Sequence, residues 1–540
     1  MSICTSNLTS GFIDLATYDE LEKYMYGGPD ATAYFVRETR KATWFTQVPT
    51  VLSRASGTPD FGQTWSVSIS RAGDYLLNTW LRVLVPQINV QLLAVGSPLS
   101  LPAGSQVGWC QNLMHNLVAE CCITFNDLVA ARFDSLHLDF WAAFTVPQSK
   151  QVGYNNMIGN VAAITQPNTY PASATQAATG QLFTNSGPNQ QTIGPNGGIF
   201  LNLPLPFFYT RDSGVALPTA ALPYNDMRIT FTFRPLAQLL TVYNTSLPLP
   251  ATWGALGFPT QAATVSQVAQ VILNQAAQGQ NLQTVQVWAE YAIVSNDERK
   301  RMACAPRDIL IEQVQSAPLQ TFNPIQNNAP NYDIRFSHAI KVLFFAVVNT
   351  TPNNHAAKSC YGTDAPSCAF ISPILLSSCQ PVVFSSNNNV DPILNTSLIY
   401  ENTARLATMG SDYYSLVDPY YHGPVIPTIV GLHMYSYSLD FVCLDPLGST
   451  NYGKLTNVSM VPVGAARAAA VANAGGAAGT LAAPVNVAAA QGIITQSTSI
   501  AGPLAVPVAL GDSQTYSFVV TAVNNNIIRI SGGALGFPVL

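Results

Sequence analysis

Nine cysteines and six histidines are the residues of this 540-residue chain best suited to chemistry. Their spacing decides what they could do. The histidines are His115, His137, His338, His355, His422 and His433. None falls in an HxH, HExxH or two-histidine–carboxylate grouping, so a zinc or non-haem iron centre has no ligand set in the linear sequence. The cysteines form no CxxC pair. Cys121 and Cys122 are adjacent in a run with strand character, where neighbouring side chains point to opposite faces. The expected state is buried thiols in a reducing compartment rather than a disulfide scaffold. Cys360, Cys368 and Cys379 are the exception. They cluster around a loop-like stretch where a local disulfide is an alternative, and no histidine spacing supports a metal there.

Acid–base catalysis by carboxylates would need two Asp or Glu facing each other across a cleft. The acidic residues sit mostly at turns, as Asp74, Asp212, Asp226 and Asp445 do, where the side chain stabilises the turn itself. The chain has no GxSxG elbow, no GxxxxGK[ST] loop and no GxGxxG. Trp65, Trp80, Trp141 and Trp288 fall on expected strands and read as core. Tyr413-Tyr414 and Tyr420-Tyr421 are denser and could line an inter-domain seam or a ligand groove. The reading is of a protein that is not an enzyme, with no catalytic, cofactor or metal site.

Composition narrows the class. Apolar residues make up 48% and charged residues 9%, against about 25% charged in a typical soluble protein. No run approaches the ~20 apolar residues of a membrane-spanning helix. Such a chain must cover itself with neutral polar residues or hide its surface against other subunits. A net charge of −5 argues against coating nucleic acid, which favours a basic patch or arm. Arg37–Lys41 and Arg299-Lys300-Arg301 are short, with acidic neighbours, and read as solvated loops or strand edges. The N-terminus has no charged n-region followed by an apolar stretch, so no secretory signal is visible, and the sequons at Asn7, Asn244, Asn349, Asn395 and Asn457 are expected to stay unused.

The elements that would carry these residues are chiefly strands. Leu201–Leu236 closes with Met227, Ile229, Phe231 and Phe233 alternating with Arg228, Thr230 and Thr232, a period of two with one apolar face. Before it, Pro204, Pro206, Pro218 and Pro223 exclude helix, and Arg211-Asp212-Ser213-Gly214 reads as a turn, giving two or three strands. A short helix is expected over Asp14–Met25. Strand character appears in Gln63–Pro86 with a turn at Ala72-Gly73-Asp74, then in Asn116–Phe125, Phe140–Val146 and Thr284–Ile293. It continues in Ile309–Val314, Phe336–Val348, Leu398–Tyr400, Tyr413–Val417 and Met434–Val442. At the end, Tyr516–Val523 and Ile527–Ile530 read as two strands across an Asn-rich turn. Pro147–Phe200, Leu239–Asn281, Thr350–Asp391 and the Ala/Gly-rich Gly464–Gly502 read as irregular or low-complexity insertions. Charge clusters at Ser295–Pro306, which marks a junction between two halves of similar grammar. The fold class is all-β, with about eight strands per half.

Several long segments are more specific than this pattern. SGFIDLATYDELEKYMYGGPDATAYFV, FGQTWSVSISRAGDYLLNTW, GYNNMIGN and LPLPFFYTRDSGVALPTAALPYNDMRIT resemble iridovirus major capsid proteins, in order along the chain. So do ENTARLATMGSDYYSLVDPYY, GSTNYGKLTN and NNNIIRISGGALGFPVL. The regions outside the match, roughly 160–198, 238–280, 351–392 and 463–515, are enlarged or divergent. The resemblance implies two tandem eight-stranded jelly rolls, a double jelly roll with long loop insertions, as in the wider group of nucleocytoplasmic large DNA viruses. By position, residues 1–45 would be an N-terminal arm, 46–294 the first jelly roll, 295–305 the junction and 306–540 the second.

It further implies a homotrimer forming a pseudo-hexagonal capsomer that tiles an icosahedral shell with its neighbours and with minor capsid or cement proteins. The arm would lie near internal membrane proteins, without direct nucleic-acid binding, and assembly would take place in the host cytoplasm. The competing reading is a β-sandwich lectin or host-receptor-binding protein, which would carry calcium ligands or a concave aromatic site.

Overall fold

The computed structural model describes residues 2–29, 31–33, 35, 41–86, 88–91, 105–161, 190–193, 198–244, 281–324, 330–350, 359–362, 391–429, 431–465, 468, 469, 472 and 515–536. Two units are resolved, Met1–Phe45 and Thr46–Leu540. The first carries helices α1 (Ser2–Ala16) and α2 (Glu20–Tyr26), where one helix over Asp14–Met25 was expected. The chain breaks between them because Asp19 caps α2: its carboxylate accepts from Glu20 N–H at 2.8 Å, and Glu22 closes the capping box.

In the larger unit the strands are β1 (Phe45–Val51), β2 (Ser53–Ser56), β3 (Thr64–Ser68), β4 (Tyr75–Val85), β5 (Ile88–Gln91), β6 (Ser105–Trp109), β7 (Val118–Phe125) and β8 (Leu128–Asp134). They are followed by β9 (Gln190–Ile193), β10 (Ile199–Pro204), β11 (Met227–Phe233), β12 (Leu240–Asn244) and β13 (Val285–Val294). These form two main antiparallel sheets, β1-β13-β4-β10 and β2-β3-β11-β7-β8, with β12-β6 and β5-β9 as two-stranded ribbons. The second set is β14 (Arg307–Ser316), β15 (Gln320–Phe322), β16 (Tyr332–Asp333), β17 (Ala339–Asn349), β18 (Ile393–Tyr400), β19 (Thr403–Gly410), β20 (Leu432–Ser436), β21 (Thr450–Asn451), β22 (Val458–Gly464), β23 (Tyr516–Ser531) and β24 (Ala534–Gly536). It builds the sheets β14-β23-β17-β20, with β15, β21 and β24 attached, and β16-β22-β18-β19.

Alternation explains the single-sided strands. In β11 the apolar residues Met227, Ile229, Phe231 and Phe233 are all buried, whereas Arg228 and Thr232 are exposed. β17 breaks that rule, since every residue from Ile340 to Asn349 is buried. Ile340, Leu343, Phe345 and Val347 enter one core with the β18–β22 sheet. Val342, Phe344, Ala346 and Val348 enter another. A strand covered on both faces reads as a continuous apolar run.

Several expectations change. Phe140–Val146 is not a strand but part of α4 (Ser135–Thr145). Asp134 caps it through His137 N–H at 2.8 Å, and His137 stacks on Trp141 one turn later. The helix stops at Pro147, and α5 (Gln148–Ile158) then occupies part of the expected loop. Tyr413–Val417 is not extended; it is a π-helical turn running into α7 (Asp418–His422). Ser295–Pro306 contains α6 (Asn296–Cys304).

Tyr516–Ile530 is one strand, β23, rather than two. Asn524 and Asn526 stay in the ladder because their amides are bonded across it, Gln315 Nε2 to Asn524 Oδ1 and Asn526 Nδ2 to Gln313 Oε1, both at 2.9 Å. The reversal comes later, at Gly532-Gly533, whose φ values of 61° and 81° suit a tight hairpin before β24. Leu201–Leu236 contains two strands, β10 and β11, separated by three 3₁₀ turns. Asp212 accepts from Gly214 N–H there, at 3.2 Å. Most of the expected insertions lie outside the described residues.

Candidate functional site: a polar seam between two β-sandwiches

Two of the histidines scattered in the sequence, His115 and His433, are drawn into buried hydrogen bonds with carboxylates. α3 (Leu113–Leu117), α4 and α5 bring His115, Asp139 and Tyr154 together, and Ser359 and Tyr361 reach them from the second half. Asp139 is the hub, 2% exposed. Its Oδ1 accepts from His115 Nδ1 at 2.7 Å and Asn112 Nδ2 at 3.1 Å. Its Oδ2 accepts from Ser359 Oγ at 2.7 Å and Tyr361 Oη at 2.6 Å. His115 Nε2 lies 2.7 Å from Tyr154 Oη, and Asn116 Nδ2 donates to Ser359 Oγ at 2.9 Å. Burial, reinforced by Asp139, pushes the Tyr154 and Tyr361 phenols up, so both keep the proton they share with the network. Four donors converge on one buried carboxylate, which satisfies a charge that burial alone would not tolerate.

A second cluster crosses the same seam. Arg211, between two 3₁₀ turns, ion-pairs through Nη2 with Glu312 Oε2 of β14 at 2.8 Å, and its guanidinium lies 3.5 Å from the centre of the Trp141 ring. Lys341 of β17 contacts Glu312 Oε1 at 2.5 Å and donates to Cys443 O at 2.6 Å. Burial lowers the Arg211 pKa, and Glu312 partly restores it. Around these polar groups the seam is aromatic. Phe140 and Phe144 of α4 stack on Phe344 of β17 at 5.8 and 5.3 Å, and Trp141 meets Phe441 edge-on at 6.0 Å. Burial, followed by the Arg211 charge, lowers His137 to about 3 and keeps it neutral. Ile309, Ile311, Ile528 and Ile530 join the core of the first half.

Elsewhere, His433 Nε2 pairs with Asp391 at 2.7 Å, both buried. Asp74, expected as a turn residue, also holds Arg299 of α6 through two hydrogen bonds of 2.7 and 3.0 Å. Trp65, Trp80 and Trp288 lie on strands as expected, and Trp141 does not. Tyr413 and Tyr414 line the interior, whereas Tyr420 and Tyr421 are exposed. Cys121 is buried and Cys122 half-buried on opposite faces of β7. Cys110, Cys121, Cys122, Cys304 and Cys443 form no disulfide, whereas Cys360 is disulfide-bonded, the alternative left open for the Cys360, Cys368 and Cys379 cluster. Cys368, Cys379 and His355 lie outside the described residues. Asp139, Glu312 and Lys341 form no sequence motif because no short spacing links them. Lys341 did leave one signal: a single cation inside IKVLFFAVV requires a buried counter-charge.

Two family models cover most of the chain: "Major capsid protein N-terminus" over residues 33–294 and "Large eukaryotic DNA virus major capsid protein" over 298–501. The major capsid proteins of Costelytra zealandica iridescent virus and Invertebrate iridescent virus 6 are each 53% identical over 542 residues, covering 100% of both chains. The chain belongs to the iridovirus major capsid protein family. That of Frog virus 3 is 38% identical over the full length of both. Among solved structures, the capsid of PBCV-1 superposes with a TM-score of 0.61 at 18% identity, covering 94% of this chain and 100% of that one. The Faustovirus major capsid protein gives 0.53 at 13%, covering 95% and 94%. The fold is thus the double jelly roll, and this major capsid protein is a shell-forming structural protein of the virion rather than a member of an enzyme family. The lectin reading is not favoured.

Proposed function

We propose that this major capsid protein works as a homotrimer. Residues 1–45 act as an arm, 46–294 as the first jelly roll, 295–305 as the junction and 306–540 as the second. The observation that carries the reading is that one chain holds two sandwiches side by side across a bonded seam, so a three-fold axis generates six in a ring. Every described strand pair joins strands on the same side of residue 295, which supports the division. The outer face of the β1-β13-β4-β10 sheet offers a surface for self-association. Trp80 stacks on Trp288 there at 6.2 Å, and Arg82 lies 4.3 Å from the centre of the exposed Phe200 ring. Permanent interfaces are apolar at their core, which suits a chain with 9% charged residues.

The trimer would tile with neighbouring capsomers and minor capsid proteins. The arm, with Phe12, Leu15, Tyr24 and Phe35 exposed, would face internal membrane proteins. Assembly would occur in the host cytoplasm, without catalysis and without direct nucleic-acid contact. Light scattering with negative-stain imaging tests the trimer. The expected result is a mass three times that of the 57.7 kDa chain and hexagonal particles with three-fold symmetry. A stable monomer across micromolar concentrations would refute it.

A further inference from the structure

The two halves repeat strand for strand. In the same chain order, the sheets β1-β13-β4-β10 and β3-β11-β7-β8 of the first half recur as β14-β23-β17-β20 and β16-β22-β18-β19 in the second. The match extends to register. β4 and β17 are both 11 residues long, and each is bulged at its third residue: the ladder to β13 skips Leu77, and the ladder to β23 skips Lys341. Trp80 therefore holds the place of Phe344, on the outer face of its sheet. In both halves a helix follows directly on the equivalent strand, α4 after β8 and the helical run 411–422, which ends in α7, after β19. α4 lays Phe140 and Phe144 on Phe344 and so seals the outer face of the second half's sheet. The equivalent pair of surfaces is left open. Trp80 and Trp288 are only half-buried, and Phe200 on the neighbouring strand is exposed. Val417, Tyr420 and Tyr421 share one helical face at i, i+3 and i+4, and all are exposed, the tyrosines by 67% and 73%.

We propose that Val417, Tyr420 and Tyr421 of one copy dock on Trp80, Trp288 and Phe200 of the next, repeating between chains the contact that α4 makes within one. The occupant is a second copy of this chain, because the helix that seals one sheet recurs with its aromatic face open, and the sheet it would seal recurs uncovered. This contact presupposes the homotrimer and supplies the pair of surfaces that closes its ring. The surfaces are unlike, one on each half, so the joint is head-to-tail, and every copy is satisfied once the rotation closes. Tyrosine and tryptophan are the side chains that carry most energy at the centre of such interfaces.

Light scattering of two full-length variants tests the contact. Tyr420→Asp with Tyr421→Asp spoils the helix face, and Arg82→Glu with Phe200→Asp spoils the sheet face. Each variant alone is expected to fall from three times the 57.7 kDa chain mass to a single chain. Mixed in equal amounts they should give twice the chain mass, because the intact helix of one meets the intact sheet of the other and the ring cannot close. A parent that is itself a monomer refutes the trimer, and this contact with it. A trimeric parent whose Tyr420→Asp, Tyr421→Asp variant stays trimeric overturns the contact alone, as do two folded variants whose mixture stays monomeric. If circular dichroism shows that a variant fails to fold, hydroxyl-radical footprinting of the parent trimer decides. Tyr420 and Tyr421 should then be modified at least about tenfold more slowly than Tyr224, which is 77% exposed, and equal rates overturn the contact.

Discussion

Arg211, Glu312 and Lys341 place two cations around one buried anion, and the ordering of their substitutions follows from charge arithmetic. Glu312→Gln keeps the shape but leaves two cations facing each other, whereas Lys341→Met removes one cation and leaves a neutral Arg211–Glu312 pair. At an effective dielectric near 20, one pair at about 4 Å is worth about 4 kcal/mol before desolvation is counted. Removing one partner of such a buried pair costs about 3–5 kcal/mol net. Glu312→Gln should therefore lose about 3–5 kcal/mol. Lys341→Met should lose about 1–2 kcal/mol, mostly from the orphaned Cys443 carbonyl. With an unfolding entropy of about 2.1 cal/mol/K per residue, the larger unit has about 1 kcal/mol/K, so the first variant should melt about 3–5 °C lower and the second about 1–2 °C lower. Differential scanning calorimetry of the purified protein measures both. If Lys341→Met proves equal to or worse than Glu312→Gln, the account of the cluster as two cations sharing one buried anion is wrong.

Two buried groups give opposite pH dependence. His137, held near 3 by burial and Arg211, adds stability that is complete above its ordinary value of 6.5 and drains as pH falls toward 3, on the order of 5 kcal/mol in all. His137→Phe should flatten denaturation midpoints across that window, and an unchanged acid slope would count against it. Asp418 is raised to about 6, chiefly by burial, so its contribution is complete below about 4 and lost as pH climbs through 6, about 3 kcal/mol. Asp418→Asn keeps an acceptor for Ser436 N–H and should raise stability at pH 7 relative to the parent, as read by chemical denaturation. Gly431→Ala combines φ +89° with a clash on Tyr361 O and should cost at least about 1–3 kcal/mol; a melting temperature equal to the parent's would refute the tight fit of Gly431 against Tyr361. Thr521→Val replaces a buried hydroxyl with no hydrogen-bond partner and should be neutral or stabilising by up to about 1 kcal/mol in the same melts.

Much of the architecture could be read directly from residues. The alternation of Met227–Phe233 defined β11, and the Ala72-Gly73-Asp74 turn correctly separated β3 from β4. Errors arose where local pattern and tertiary context disagree. Phe140–Val146 read as a strand, yet the Asp134 cap and the packing of Phe140 and Phe144 on Phe344 make the segment a helix. Asn524-Asn525-Asn526 has turn composition, but amide partners on β14 hold it straight.

From the sequence alone, period-two alternation, proline punctuation and scarce charge determined an all-β protein of two similar halves with no linear catalytic motif, and the capsid resemblance was legible in contiguous segments. These properties are local, written over a few residues at a time. The seam was decided only in three dimensions. Asp139 and Tyr361 are far apart in the chain, as are Arg211 and Glu312, and no spacing rule joins residues whose approach depends on how two sandwiches pack. A lone Lys341 in an apolar strand required a buried anion, and only the folded chain identified it as Glu312.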